Sequence, residues 1–234
     1  MAIRAVLFDV GGPIDTEIKH EALADEYLLR ALAAVGIQPS EAEFATASEW
    51  AVQCYAPNTY LAIIFRLCGE RAELAKAAEL AFQASSPERR RQRARLELRP
   101  GIGDVLKQFH ERGLLLGLAA NQPADVIAEL DRLGIGQYFS HREVTGHHGF
   151  HKPDVRLFLR ACEDLGVTPQ ECIMVGDRID NDIFPARSLG MATVLFRTGR
   201  HFEQRPRSLN EIPGEEVFSV DELAAALKRL TGRG

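Results

Sequence analysis

Apolar residues follow two different spacings along this chain. Residues 3–10, IRAVLFDV, form a short apolar run rich in β-formers and closed by an acid, as in a strand buried on both faces. Gly11, Gly12 and Pro13 interrupt it. From Ile18 to about Gln92 the period is helical. Leu23, Tyr27, Leu28, Leu32 and Val35 share one face, Gly36 ends that helix, and Ser40 with Glu43 has the form of a capping box opening the next. TYLAIIFRLCG and AELAKAAELAFQA continue the helical spacing, and no segment here reads as a strand. After Arg99 the two patterns alternate. A helix over IGDVLKQFHERG leads to the run LLLGLAA (114–120), and Pro123 suits the first turn of a helix over PADVIAELDRLG. A helix over 153–166 leads to ECIMVGD (171–177), and a helix over NDIFPARSLG to ATVLF (192–196). The chain closes with EVFSV and the helix DELAAALKRL, where Ser219 and Glu222 have capping-box spacing.

Alternating strands and helices predict βαβ units, hence an α/β, doubly wound parallel sheet with helices on both faces. About eighty helical residues separate the first strand from the others, far more than a crossover needs. The pattern therefore predicts a core of residues 1–15 and 97–234 and an inserted α-helical domain of residues 16–96.

Hydrophobic residues make up 46% of the 234, enough for a sizeable core. The net charge of −5 argues against nucleic acid as the main partner. No apolar run approaches the ~20 residues that span a bilayer, and the N-terminal segment lacks a secretory signal pattern, so no membrane partner and a cytoplasmic location are expected. Cys54, Cys68, Cys162 and Cys172 lie far apart without a CxxC pair, which predicts reduced, mostly buried thiols rather than zinc. The basic segment RRRQRAR (89–95) reads as a solvated helix face in preference to a phosphate or nucleic-acid patch, and its position near the second hinge leaves a role with an anionic substrate open. Nothing in the pattern fixes an oligomeric state.

In open α/β sheets ligands bind outside the carboxyl ends of the strands. Three of the expected strands end in polar residues there: the first at Asp9, the second at Ala119, Ala120 and Asn121, the third in GDRIDND with Asp177, Asp180 and Asp182. Lys152 lies in the loop between the second and third. Converging carboxylates repel one another unless a cation intervenes, and Mg²⁺ suits one or two carboxylates, several waters and a substrate phosphate.

These segments resemble four motifs of the haloacid dehalogenase-like (HAD) superfamily, in its phosphatase-rich group with a helical cap inserted after the first strand. FDVGGPI is similar to the nucleophile motif, LGLAAN to the strand ending in Ser or Thr, HKPD to the Lys-before-Pro motif, and VGDRIDND to the acidic motif. The resemblance covers essentially the whole chain and implies a Rossmann-like core with a cap acting as a lid. It implies Asp9 as nucleophile, forming an aspartyl-phosphate, and Lys152 steadying Asp9 and the phosphoryl group. It implies Mg²⁺ held by Asp9, the Gly11 carbonyl and Asp177, supported by Asp182 through water, with Asp180 the weaker candidate. Gly11, Gly12, Ala120, Asn121 and Lys152 would face a small phosphorylated metabolite.

The chain departs from the family pattern in the first two motifs. Gly11 stands where phosphatases carry a second acid that protonates the leaving oxygen, help worth ~10²–10⁴ in rate. Ala120 replaces a phosphate-binding hydroxyl, for which the adjacent Asn121 could compensate, and Pro13 replaces a Thr. Asp15, Glu17, His20, His147, His148 and His151 are candidate proton donors. Dehalogenases of the family need no metal, which the acid-rich GDRIDND argues against. A phosphonate hydrolase would need a cap lysine, and only Lys19 and Lys76 are present. A second reading is a catalytically weak or inactive scaffold that binds a phosphorylated ligand or a protein partner.

Overall fold

The computed structural model describes residues 2–69, 71–92 and 95–232. Six strands form one parallel sheet: β1 (Ala5–Phe8), β2 (Leu115–Leu118), β3 (Phe139–His141), β4 (Cys172–Gly176), β5 (Ala192–Phe196) and β6 (Glu215–Val217), in the order β3-β2-β1-β4-β5-β6. The helices are α1 (Ile18–Ala34), α2 (Glu41–Gln53), α3 (Thr59–Leu67), α4 (Ala72–Ala84), α5 (Ser86–Arg91), α6 (Ile102–Glu111), α7 (Val126–Arg132), α8 (Thr145–His148), α9 (Val155–Leu165), α10 (Phe184–Ser188) and α11 (Val220–Thr231).

The strand order is that of a Rossmann-like, doubly wound sheet. Its period-two alternation divides the core. Val6 and Phe8 of β1 pack with Ile102, Leu106 and Phe109 of α6, Leu130 of α7 and Leu227 of α11 on one face. Ala5 and Leu7 pack with Leu157, Phe158 and Ala161 of α9 and Ala186 of α10 on the other. Each β1 residue is paired with both β2 and β4, so the strand is central and wholly apolar.

The chain forms two compact units, Met1–Thr16 with Leu96–Gly234, and Glu17–Arg95. The second is helical and has its own core, in which Tyr27, Leu28 and Leu32 of α1 meet Ala47 and Ala51 of α2, Ile63 and Ile64 of α3, and Ala78 and Phe82 of α4. The Ser40–Glu43 capping box forms at α2, and Ser219 caps α11 by accepting from the Glu222 N–H. In the basic segment, Arg89 is half-buried, donates to the Phe82 carbonyl and lies over the Phe82 ring, so it is not part of a solvated face. Arg93 and Ala94 of that segment lie outside the described residues. Cys68, Cys162 and Cys172 are buried thiols, Cys54 an exposed one. Among the described residues no helix is long and apolar enough to cross a membrane.

Several boundaries differ from the sequence pattern. The α7 helix begins at Val126 rather than Pro123, because the N–H groups of Val126, Ile127 and Ala128 bond three residues back and tighten the first turn. The final strand stops at Val217, since the Phe218 N–H is taken by the Glu222 carboxylate as part of the α11 cap. The segment 181–190 divides into a wide helical turn, Ile179–Ile183, and the short α10. Strand β3 has only three residues and is not visible as a pattern.

Candidate active site

The sheet reverses its order between β1 and β4, and this switch point carries the site. The ladder continues one residue beyond β1: the Asp9 N–H donates to the Val175 carbonyl at 2.9 Å, which fixes the backbone from which the carboxylate projects. Asp9 Oδ1 then accepts from the Val10 N–H at 2.8 Å. Asp177 follows β4 directly. The carboxylates of Asp9, Asp177 and Asp182 offer ligand atoms all within 4.8 Å of one another.

Two glycines permit this approach. Gly12 has φ +78°, and a Cβ there would lie 2.7 Å from Cβ and Cγ of Asp177. A Cβ on Gly176 would lie 2.3 Å from Cγ of Asp182. Real Cβ contacts are not that short, so both positions require glycine. Gly11 is buried but lies outside the left-handed region, so its lack of a side chain is not required by its backbone.

Lys152 joins the acids. Its Nζ lies 2.8 Å from Asp9 Oδ2 and 2.6 Å from Asp182 Oδ1, and its side chain is 1% exposed. Burial alone would lower its pKa, but Asp182 and Asp9 together raise it, so the ammonium is a fixed charge. Burial pushes the Asp182 carboxyl up to about 6 against the pull of Lys152, with Asp9 adding to the rise. Three carboxylates and one ammonium leave a formal charge of −2 in a cluster of hard oxygen donors. One divalent cation matches both the charge and the donor type. The residues therefore fit Mg²⁺, with Asp9 at the end of β1 and Asp177 directly after β4 as the candidate ligands. Asp182 is committed on both oxygens, to Lys152 and to the Arg178 N–H at 3.0 Å.

Asp180 is separated from this cluster by its own partners. It pairs with Arg178 at 2.5 Å and accepts from Gln204 Nε2 at 3.0 Å, while Gln204 Oε1 accepts from the Ile179 N–H.

Asn121 and Ala120 occupy the end of β2 differently from each other. Ala120 is fully buried, and its carbonyl accepts from the Thr145 N–H. The Asn121 side chain clamps the backbone of Lys152: Oδ1 accepts from its N–H at 2.7 Å and Nδ2 donates to its carbonyl at 3.1 Å. Thr145, at the start of α8, donates its hydroxyl to the Phe150 carbonyl at 2.7 Å and has Asn121 Oδ1 at 3.1 Å. The amide expected to face substrate thus holds the lysine loop in place.

The candidate proton donors are mostly engaged elsewhere. Asp15 is buried, and its Oδ1 accepts from the Glu97 N–H at 2.7 Å while its backbone bridges Gly11 and Leu98. It is a clip between the two passages of the chain. His147 accepts from the Val144 N–H and His148 from the Phe150 N–H, each through Nδ1, and burial lowers the His148 pKa. His151 is exposed. Glu17 and His20 belong to the helical unit.

Arg99 and Thr145 were not legible as site residues. Arg99 donates from Nε to the Gly12 carbonyl and from Nη2 to Thr198 Oγ1, both at 2.8 Å, and lies over the Phe196 ring. It stays the glycine loop from a distant part of the chain, and no local motif announces that.

The site is thus a carboxylate–lysine cluster at the switch point of a parallel α/β sheet. The family model of the haloacid dehalogenase-like hydrolases matches residues 3–190, and the chain belongs to that family. It is similar to a glyceraldehyde 3-phosphate phosphatase of Methanopyrus kandleri, at 31% identity over 97% of this chain and 98% of that one. A phosphoserine phosphatase of Thermus thermophilus is 35% identical over 57% of this chain and 55% of its own. A crystal structure described as a predicted phosphoglycolate phosphatase of Haemophilus somnus shares the fold, with a TM-score of 0.69 at 20% identity over 97% of both chains. The protein is a HAD-like hydrolase of the phosphatase type.

Proposed function

We propose that this hydrolase is Mg²⁺-dependent and removes phosphate from a small phosphorylated metabolite through a phosphorylated Asp9. The observation that carries the reading is the meeting of Asp9, Asp177, Asp182 and Lys152 at the ends of β1 and β4. Asp9 projects from a fixed backbone at the end of β1 and would be the carboxylate that attacks phosphorus. Asp9, Asp177 and the Gly11 carbonyl would hold Mg²⁺, with Asp182 outside them. The ion supplies charge neutralisation for the incoming phosphate. Lys152, held charged and oriented by Asn121 and Asp182, balances the negative charge that grows on the transferring group. Backbone groups of Gly11, Gly12, Ala120 and Asn121 line the place for its oxygens.

The substrate class follows the relatives, whose names specify small phosphorylated compounds. The helical unit is read as the cap that selects among them. A cytoplasmic location and the lack of a nucleic-acid partner rest on the sequence. Membership of a hydrolase family weighs against the scaffold reading.

The experiment is a screen of phosphorylated metabolites with and without Mg²⁺, using wild type and Asp9→Asn. Turnover that needs Mg²⁺ and vanishes in Asp9→Asn is expected. Equal activity of the two proteins would remove Asp9 from the mechanism.

A further inference from the structure

The core places a nucleophile, a fixed cation and a metal-fitting acid cluster at the switch point, but residue 11 supplies no acid. Five ionisable groups of the core are occupied in ways that do not suit proton delivery. Lys152 is shared between two carboxylates. Asp15 accepts from the Glu97 N–H and faces the chain crossing. Asp182 has both oxygens bonded. His147 and His148 each spend a ring nitrogen on the loop backbone. Gly11 lies outside the left-handed region, so its φ does not require glycine.

We propose that the preferred substrates are activated phosphates, acyl phosphates in the first place, whose leaving group departs without a proton. This rests on the reading of Asp9 as nucleophile. In the first step an Asp9 carboxylate oxygen bonds to phosphorus, and the bond from phosphorus to the acyl oxygen breaks. The electron pair leaves on a carboxylate, whose conjugate acid has a pKa of about 4, so no protonation is needed. An alkyl phosphate would instead release an alkoxide, whose conjugate acid is about as weak as water, and would need the missing acid. In the second step a water oxygen bonds to phosphorus and the bond to Asp9 breaks, returning its carboxylate. Both water protons stay on the phosphate, so acyl phosphate dianion and water give carboxylate and dihydrogen phosphate. The second step again lacks a base at residue 11, so the phosphorylated protein accumulates during turnover, the kinetic mark of a covalent intermediate whose breakdown limits the rate.

The test compares acetyl phosphate, a series of aryl phosphates of graded phenol acidity, and glycerol phosphate, with Mg²⁺ present. It reads kcat/KM and the amount of phosphorylated Asp9 trapped by rapid acid quench and detected by intact mass. Wild type is expected to show a burst with acetyl phosphate, and kcat/KM falling steeply as the leaving group becomes more basic, by ~10²–10⁴ between acyl and alkyl phosphate. Gly11→Asp is expected to narrow that gap and to reduce the trapped phosphoprotein. The wild-type slope decides the matter even where that variant folds poorly. Phosphorylated Asp9 together with a flat dependence on leaving group would overturn the inference while sparing the Asp9 reading, because it would mean that a proton donor is supplied from elsewhere in the chain. No phosphorylation of Asp9 by any of the compounds would overturn both.

Discussion

Lys152 is the residue on which the site's electrostatics turn. Buried Asp182 and Lys152 meet the partly buried Asp9, and the buried charges are tolerable only because their partners are present. Lys152→Met should therefore destabilise the protein by ~3–5 kcal/mol at pH 7.5, since it leaves buried carboxylates without their cation. Urea unfolding at two pH values checks the cause as well as the size. The Asp182 carboxyl already sits up at about 6, and loss of Lys152 raises it further. The penalty should therefore shrink by pH 5, where that carboxyl is protonated. A loss that is the same at both pH values would assign the effect to packing instead.

At the scale of elements, helices in this chain are started by specific caps rather than by propensity alone. Ser40 accepts from the Glu43 N–H at 3.3 Å and its own N–H donates to the Glu43 carboxylate at 2.8 Å, closing two of the donors that a helix start leaves open. Ser40→Ala should lower stability by ~0.5–2 kcal/mol, and Ser40→Thr should restore most of it. Thermal unfolding followed by circular dichroism measures both. An unchanged midpoint in the alanine variant would show that packing of Ala47 and Ala51 holds α2 without its cap. The same logic explains the early end of β6: the Phe218 N–H serves the α11 cap, so it is not free to extend the ladder.

At the scale of the whole molecule, three histidines held neutral make stability sensitive to acid. Burial lowers the pKa of His141 despite Asp164 at 3.0 Å, and it also lowers that of His148. His201 is driven down to about 3 by burial and by Arg178. In the unfolded chain each takes up a proton near pH 6.5. At these histidines the unfolded state binds more protons than the native state below that value, so their contribution to stability falls as pH falls from about 6.5, for His201 down towards 3, while the raised Asp182 carboxyl adds a smaller step of opposite sign below about 6. Unfolding free energies measured from pH 7.5 to 4.5 should show this slope. His201→Gln should make it shallower, and an unchanged slope would mean that His201 is protonated in the native state.

Much of this is legible in the sequence itself. Five of the six strands, the helical stretch after the first of them and the α2 and α11 caps follow from period, glycine breaks and cap residues, which are local properties. The candidate acids were legible because a parallel sheet brings the carboxyl ends of its strands together, so the order of elements alone forecast their convergence. β3 was not legible, because three residues carry no period and its place is fixed by β2. Nor was the task of Asn121, because an amide can face a ligand or a backbone, and only the fold set Lys152 against it. Sequence determined the alternation of elements and the kinds of groups delivered to the switch point. Tertiary structure decided which of those groups are free for chemistry and which are held by partners, because hydrogen bonds between distant residues such as Asp15 and Glu97, or Arg99 and Gly12, exist only once the chain has closed.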